Sequence, residues 1–318
     1  CQINIAFLMK ILHIDSNHPS LIPMLIKNGH VNHSDFISSK HDIGLVIKNY
    51  DGLILRSRFK IDKEFIDKAI NLKFIARVGS GIENIDSKYA KTKNIEVISS
   101  PEGNSNAVGE HAMGLLLSLL NNINTSSVQV KKGVWVREQN RGHELEGKTV
   151  AILGLGNTGK SFAKKISAFN CNVIFYDIND DIKSDIAKKS SLDDIYENAD
   201  VLSLHLPHTN LTFNLFNKTF IEKFNNPFWL LNTSRGSIVN TADLIEALKT
   251  NKVLGAGLDV LDIESSSFTE IINDKNDDFH KLSSFKNVII TPHIAGWTFE
   301  SNIKLSKIVV DKINNYFK

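Results

Sequence analysis

The stretch "KTVAILGLGNTG", residues 148–159, decides the fold. An apolar run reads as a strand, and it leads into a G-x-G-x-x-G pattern at Gly154, Gly156 and Gly159; the following "KSFAKKISAF" reads as a helix. Between a strand and a helix, this pattern is typical of a dinucleotide-binding domain. The first glycine permits a tight turn, the second lets the backbone approach a pyrophosphate, and the third lets helix and strand pack closely. Asn157 and Thr158 would then lie at the helix N-terminus, whose N–H groups bind phosphates.

The strand that follows this helix carries the signal for the type of dinucleotide. "CNVIFYD" ends in Asp177, eighteen residues after Gly159. A carboxylate there accepts hydrogen bonds from the ribose hydroxyls and repels a 2′-phosphate, so the sequence favours NAD over NADP. The alternative is a structural glycine turn beside a surface aspartate. That alternative gives no reason for a strand before the glycines and a helix after them.

Strand-like and helix-like segments alternate along the whole chain, which is typical of parallel sheets with crossover helices. From residue 149 onward there are six strand candidates, the count of a doubly wound domain, at 149–153, 172–176, 200–204, 228–232, 254–259 and 288–291. We expect an α/β fold of two doubly wound parallel-sheet domains around a cleft. A Rossmann cofactor domain would span 105–296. A flavodoxin-like substrate domain would combine 9–104 with the tail, 297–318, whose apolar residues recur at helical spacing.

Composition sets limits on the class of protein. The chain has 318 residues, 42% hydrophobic and 23% charged, which suits two globular domains. A formal net charge of +2 gives no sign of a nucleic-acid or membrane partner. There are two cysteines, Cys1 and Cys171, so we expect no disulfide framework and a cytoplasmic location. We expect residues 1–8 to be an upstream extension outside the fold.

Three ionisable residues each follow a strand candidate, at the sheet edge where ligands of α/β folds bind: Arg235, Glu264 and His293. Taken singly, each would be an ordinary surface charge or an unremarkable histidine. Together they suit hydride transfer to or from a 2-hydroxy acid. The arginine fork suits a carboxylate, the imidazole can take or return the hydroxyl proton, and the glutamate can orient the imidazole.

The chain resembles the D-isomer-specific 2-hydroxyacid dehydrogenases over residues 9–318, through "ARVGSGIENID", "NAVGEHAMGLLLSL", "LLNTSRGSIVN", "GAGLDV" and "TPHIAG". The resemblance implies that Arg235, Glu264 and His293 are catalytic. It implies a homodimer formed through the cofactor domain. It also implies further binding residues: a carboxylate-binding loop at Val78, Gly79, Ser80 and Gly81, a nicotinamide pocket at Val108, Thr233 and Asp259, and a cofactor-lining loop with His205 and Pro207.

The sequence departs from the family pattern near the catalytic residues. Ser265 follows Glu264, where the family often has proline. His293 lies 29 residues beyond Glu264, so we expect an acidic insertion within 265–280. Trp297 replaces a small residue near the histidine. These departures bear on loop conformation and substrate size.

Two basic segments bear on the substrate. "LILRSRFKID" and "KKGVWVR" resemble segments of phosphoglycerate dehydrogenases, which implies that Arg58 binds a substrate phosphate and that Arg137 reaches the neighbouring subunit's site. The implied reaction is NAD-dependent oxidation of 3-phosphoglycerate to 3-phosphohydroxypyruvate, at the start of serine biosynthesis. The basic segment could equally be a solvated strand end.

Three other interpretations compete with that reaction. The substrate could be an unphosphorylated acid such as hydroxypyruvate or glyoxylate. The chain could be an NAD(H)-responsive regulator without catalysis. A metal enzyme has little support, since histidines such as His205 and His208 form no ligand cluster, and we expect no metal.

Overall fold

The computed structural model describes residues 8–264 and 277–317. Two compact units make up the chain, and we call them the first unit, Cys1–Asn104 with Trp297–Lys318, and the second unit, Ser105–Gly296. The expectation for the upstream extension falls almost wholly on residues 1–7, outside the described residues. The expected acidic insertion lies mainly in 265–276, also outside them.

The first unit is built on a parallel five-stranded sheet in the order β2-β1-β3-β4-β5. This is the flavodoxin-like order, and it confirms the predicted fold class for this unit. Its strands are β1 Lys10–His13, β2 Val31–Ser34, β3 Gly52–Leu55, β4 Phe74–Arg77 and β5 Glu96–Ile98. Its first helices are α1 Leu21–Lys27, α2 Lys40–Val46, α3 Lys63–Lys68 and α4 Ser87–Thr92.

All four residues of β3 are buried in the first unit, and the residues that follow β3 lie at the carboxyl edge of its sheet.

The second unit contains a parallel seven-stranded sheet in the order β12-β11-β10-β9-β6-β7-β8. Counted from its own first strand, the order is 3-2-1-4-5-6 with one more strand at the end, so the predicted Rossmann topology is confirmed. The strands are β6 Thr149–Leu153, β7 Asn172–Tyr176, β8 Lys188–Lys189, β9 Val201–Leu204, β10 Phe228–Asn232, β11 Val253–Leu258 and β12 Val288–Ile290. The strand order reverses between β6 and β9, and this places the glycine motif at the switch point where such sheets bind ligands.

Helices cover both faces of that sheet: α5 Ser105–Leu120, α6 Ile123–Lys131, α7 Asn157–Ile166, α8 Leu192–Asn198, α9 Lys218–Glu222, α10 Thr241–Lys249 and α11 Asp277–Ser284. Helix α5 carries nine buried residues, as its apolar circumference suggests. Helix α6 carries no buried residue.

The last helix, α12 Phe299–Tyr316, packs on the sheet of the first unit. It begins with a capping box. The Thr298 side chain accepts a hydrogen bond from the Ser301 N–H, and the Ser301 hydroxyl accepts one from the Thr298 N–H. Val309 and Ile313 are fully buried against core residues of β1 and β4. Burying each such side chain contributes about 1.5–3 kcal/mol, which holds the chain's final segment to its beginning. Across the described ranges, no helix combines the length and apolarity needed to cross a membrane.

Candidate active site

The glycine turn after β6 has the geometry that a dinucleotide needs. Gly154 has φ +87°, a left-handed conformation that favours glycine. A Cβ on Gly159 would lie 2.1 Å from the Gly154 carbonyl oxygen, so α7 can approach β6 only with glycine there. A Cβ on Gly156, in contrast, would meet no atom within 4 Å. The first and third glycines are needed by the fold, and the second leaves open backbone at the start of α7, which fits a pyrophosphate.

Asp177 lies beside this turn at the end of β7. Its Oδ2 accepts the Leu155 N–H at 2.8 Å and its Oδ1 accepts the Asn179 N–H at 2.9 Å. An ionised carboxylate offers about four acceptor positions, so acceptor capacity remains for ribose hydroxyls. The glycine turn and the Asp177 carboxylate are therefore fixed to each other.

His205, at the end of β9, anchors the loop opposite the turn. Its Nε2 is 2.9 Å from the Ser203 hydroxyl and its Nδ1 is 3.3 Å from the Thr158 hydroxyl. Complete burial lowers the pKa of His205 to about 3, so the imidazole is neutral. The structure thus gives His205 a structural link to the start of α7, while the neighbouring Pro207 is exposed.

Two predicted nicotinamide-pocket residues fit a bound cofactor. Val108 is 4% exposed on α5, and Thr233 is 9% exposed just after β10. Within the described part of the chain, the Thr233 hydroxyl oxygen is buried and has no hydrogen-bond partner. A buried polar atom without a partner is costly, and an amide group of a bound cofactor would satisfy it.

Arg235 stands on a loop shaped by Asn232, which the sequence analysis did not single out. Asn232 is fully buried at the end of β10. Its Oδ1 accepts from the Ser234 N–H and hydroxyl at 3.1 and 2.8 Å, and its Nδ2 donates to the Arg235 carbonyl at 2.9 Å. The Asn232 side chain therefore fixes the backbone that carries the Arg235 guanidinium.

The loops of Arg235 and Glu264 are in direct backbone contact. A Cβ on Gly236 would lie 1.9 Å from the Leu261 carbonyl carbon, so only glycine allows this approach. The Leu261 N–H donates to Glu264 Oε1. Glu264 Oε2 lies 2.6 Å from His293 Nδ1, and both side chains are mostly buried, at 18% and 24% exposed. The three predicted catalytic residues thus stand on linked loops at the carboxyl edge of one sheet.

The loop after β12 holds His293 in a conformation that non-glycine residues rarely adopt, with φ +56°. Asp259, 1% exposed, organises this loop. Its Oδ1 accepts from the Thr291 hydroxyl at 2.6 Å and the Ile294 N–H at 2.9 Å, and its Oδ2 accepts from the Ala295 N–H at 2.7 Å. The expected nicotinamide contact of Asp259 stays a prediction, and its carboxylate also holds the histidine loop.

In the first unit, the expected carboxylate-binding loop wraps around Arg77. This arginine donates from Nε to the Arg56 carbonyl at 2.9 Å and from Nη1 to the Gly81 carbonyl. Val78 is buried, and Gly79 accepts the Ser100 N–H at 2.9 Å. The Ser80 hydroxyl donates to Asn104 Oδ1 at 2.6 Å. The Arg77 guanidinium thus joins the loop at Gly81 to the backbone of Arg56.

The Arg58 guanidinium, predicted to bind a substrate phosphate, makes three hydrogen bonds within the first unit. It donates to the carbonyls of Ile14, Asp35 and Ser38 at 3.0, 2.7 and 2.5 Å. These bonds tie the segment after β3 to the segments after β1 and β2. The predicted phosphate contact of Arg58 stays a prediction, and a phosphate would compete with these carbonyls for the guanidinium.

Arg56, two residues earlier, has a different environment. Its guanidinium stacks on the Trp297 ring at 4.1 Å from the centroid, and no described residue accepts a hydrogen bond from it. Burial lowers the pKa of Arg56, and Asp15 opposes that shift. In the second unit, Arg137 is exposed beyond α6. No group of three or more potential metal ligands occurs among the described residues.

Comparison with known proteins agrees with this geometry. The family model described as the NAD binding domain of D-isomer specific 2-hydroxyacid dehydrogenases matches residues 113–295, more than half of the chain. The chain belongs to this family. The D-2-hydroxyacid dehydrogenases are NAD-dependent enzymes, and NAD is the cofactor that the second unit binds.

Named relatives differ in their substrates. The chain is 34% identical over 313 residues to a D-3-phosphoglycerate dehydrogenase of Archaeoglobus fulgidus, covering 98% of this chain and 58% of that protein. It is 35% identical over 274 residues to a hydroxypyruvate reductase of Thermotoga maritima, covering 86% and 87%. The crystal structure of a D-lactate dehydrogenase from Aquifex aeolicus, complexed with NAD and lactic acid, has a TM-score of 0.81 at 26% identity and covers 96% and 95%. The chain therefore spans less than two thirds of the phosphoglycerate dehydrogenase that it matches.

Proposed function

We propose that the protein is an NAD-dependent dehydrogenase that oxidises D-3-phosphoglycerate to 3-phosphohydroxypyruvate. The observation that carries the hydride-transfer proposal is the 2.6 Å contact between Glu264 and His293 on a loop linked to that of Arg235. A carboxylate can only accept, so His293 donates from Nδ1 and keeps the lone pair on Nε2 when neutral. Nε2 then takes the hydroxyl proton during oxidation and returns it during reduction.

The remaining roles follow from charge. Arg235 binds the substrate carboxylate and the adjacent oxygen, which becomes negative as a carbonyl is reduced. The Glu264 carboxylate stabilises the imidazolium that forms when His293 takes the proton. Bound NAD supplies the hydride acceptor at the nicotinamide ring, and the protein positions the acid at the neighbouring sheet edge.

For the phosphate we assign Arg56 in place of Arg58. Arg58 uses its donors on three backbone carbonyls, whereas Arg56 makes no hydrogen bond from its guanidinium to any described residue. A guanidinium in a partly desolvated place binds a phosphate oxygen pair strongly, because its donors match that geometry. Support for a phosphorylated substrate thus rests on Arg56 and on the relative from Archaeoglobus fulgidus.

An NADH-oxidation assay with three keto acids tests the proposal. We expect kcat/KM for phosphohydroxypyruvate to exceed that for hydroxypyruvate and glyoxylate by about tenfold or more, which corresponds to one charge-assisted contact. Equal values would remove the phosphate from the proposal and keep the hydride transfer. NADH binding without turnover of any keto acid would favour the non-catalytic regulator.

Hydroxypyruvate reduction is the second candidate. The three hydrogen bonds from Arg58 to backbone carbonyls favour it, because these donors are then not available to a phosphate. The relative from Thermotoga maritima, matched over most of both chains, also supports it. Higher kcat/KM with hydroxypyruvate in the same assay would establish this candidate instead.

We further propose a cytoplasmic homodimer formed through α6. The helix buries no residue in its own unit and exposes Ile123, Val128 and Val130. Trp135, shortly after it, is 84% exposed. Such an apolar face is typical of a protein interface. Light scattering should give twice the mass of the chain, and Val130→Asp should give the mass of one chain.

A further inference from the structure

The Asp259 carboxylate is a buried charge whose partners lie mostly on one loop. Three of its four closest donors, the Thr291 hydroxyl and the backbone N–H groups of Ile294 and Ala295, flank His293 on both sides. The His293 N–H also donates to the Asp259 carbonyl at 2.8 Å. The orientation of the His293 ring therefore depends on how firmly Asp259 itself is held.

The fourth partner comes from another element. His111, on α5, places its Nε2 2.9 Å from the Thr291 hydroxyl oxygen and 3.5 Å from Asp259 Oδ1. The Thr291 hydroxyl donates its single proton to the carboxylate, so its oxygen accepts from His111. The proton of His111 is thereby fixed on Nε2, and the imidazole is aimed at the Thr291–Asp259 pair.

His111 is well placed to act as a fixed support. The helix around it is rigidly packed, with Ala112 and Leu116 fully buried against the sheet. Among the described residues, His111 is the one side chain able to carry a positive charge within 4 Å of the Asp259 carboxylate. A buried carboxylate is stable only when it is fully hydrogen-bonded or paired.

We propose that His111 is a positioning residue for the reaction of His293, acting through Thr291 and Asp259. The inference rests on the proposed hydride transfer, since it assigns the role to that site. His293 has a left-handed φ, and such a conformation persists only when surrounding contacts enforce it. The contact from α5 completes that enforcement, so that Nε2 of His293 meets the substrate hydroxyl in one orientation.

Two substitutions and one matched control test this role. His111→Leu removes the donor, and His111→Gln keeps an N–H donor at nearly the position of Nε2. His143→Leu changes an exposed histidine of the same unit outside the network and serves as control. We expect His111→Leu to lower kcat about tenfold, the usual effect of one lost hydrogen bond in a polar network, with KM for NAD unchanged. His111→Gln should recover most of that loss.

Two further readouts separate positioning from general stability. If the proton and hydride steps slow, the primary isotope effect on kcat with deuterated NADH should rise for His111→Leu. Hydrogen exchange at the amides of Ile294 and Ala295 should accelerate, because their acceptor is less firmly held. In a Thr291→Val background, His111→Leu should cost little more, because the link is already broken.

Faster exchange together with lower kcat and a larger isotope effect supports the inference. Unchanged kcat overturns it, whether or not exchange changes, and so does lower kcat with unchanged exchange. Failure of the proposed function is seen separately, because the unsubstituted protein would then turn over no 2-hydroxy or 2-keto acid.

Discussion

Two arginines separated by one residue should respond to truncation in opposite ways. Arg58→Ala removes three hydrogen bonds to backbone carbonyls, each with a net value of about 1 kcal/mol. Allowing for partial exposure, we expect about 2–3 kcal/mol of lost stability and a fall in Tm of roughly 5–10 °C. Arg56→Ala removes the stacking on Trp297, worth about 0.5–1 kcal/mol at a partly exposed site, and the attraction of Asp15.

Activity should show the reverse order. If Arg56 binds the substrate phosphate, its loss removes a charge-assisted contact worth about 1.5–3 kcal/mol. This corresponds to a fall in kcat/KM for phosphohydroxypyruvate of about 10- to 100-fold, with little change for hydroxypyruvate. Arg58→Ala, assayed at a temperature where it is folded, should keep kcat/KM within about threefold of the unsubstituted protein.

The measurements are steady-state NADH oxidation with both keto acids and a thermal melt of each variant. Ser57→Ala, between the two arginines, serves as the matched control and should leave both readouts unchanged. The reasoning would be refuted if Arg58→Ala lost activity toward phosphohydroxypyruvate at unchanged Tm while Arg56→Ala kept that activity. Arg58 would then leave its three carbonyls to bind the phosphate.

Three further predictions concern the second unit. Glu264→Gln should lower kcat about tenfold at unchanged NADH affinity, because a neutral acceptor stabilises the imidazolium less; unchanged kcat would separate Glu264 from the proton step. Gly156→Ala should leave Tm unchanged, since its Cβ meets no atom, yet weaken NADH binding about tenfold or more in a fluorescence titration; intact binding would place the pyrophosphate elsewhere. The pKa of His205 is about 3 in the folded protein and 6.5 in the unfolded chain, because burial disfavours the charged imidazole. The burial of His205 therefore costs no stability above pH 6.5, and the free energy of unfolding falls as the pH drops from 6.5 toward 3. Urea melts of His205→Gln should therefore show a shallower loss on acidification, by up to about 1.4 kcal/mol per pH unit; an identical slope would contradict the burial.

The sequence predicts features that depend on residue type and local order. The cofactor domain follows from the glycine spacing because the first and third glycines meet a steric need of the turn itself, as Gly154 and Gly159 do in the structure. The common location of Arg235, Glu264 and His293 could be predicted because a strand places the residues after it at the ligand-binding edge of its sheet.

Features that depend on distant backbone atoms could not be predicted. Arg58 looks like a free cation in sequence, and its partners are carbonyl oxygens of residues 14, 35 and 38, which any residue type offers. His111 and Thr291 lie 180 residues apart and are joined only by the fold. The strand β8 was missed because it is only two lysines long, too short to show the alternation that marks a strand.

The contact at Gly236 has a consequence for engineering the protein. One missing methyl group lets the Arg235 loop rest on the backbone of Leu261, next to the Glu264 loop. Any larger residue at 236 would displace the guanidinium and the carboxylate together, so a mutant library would score this position as intolerant even though glycine does no chemistry.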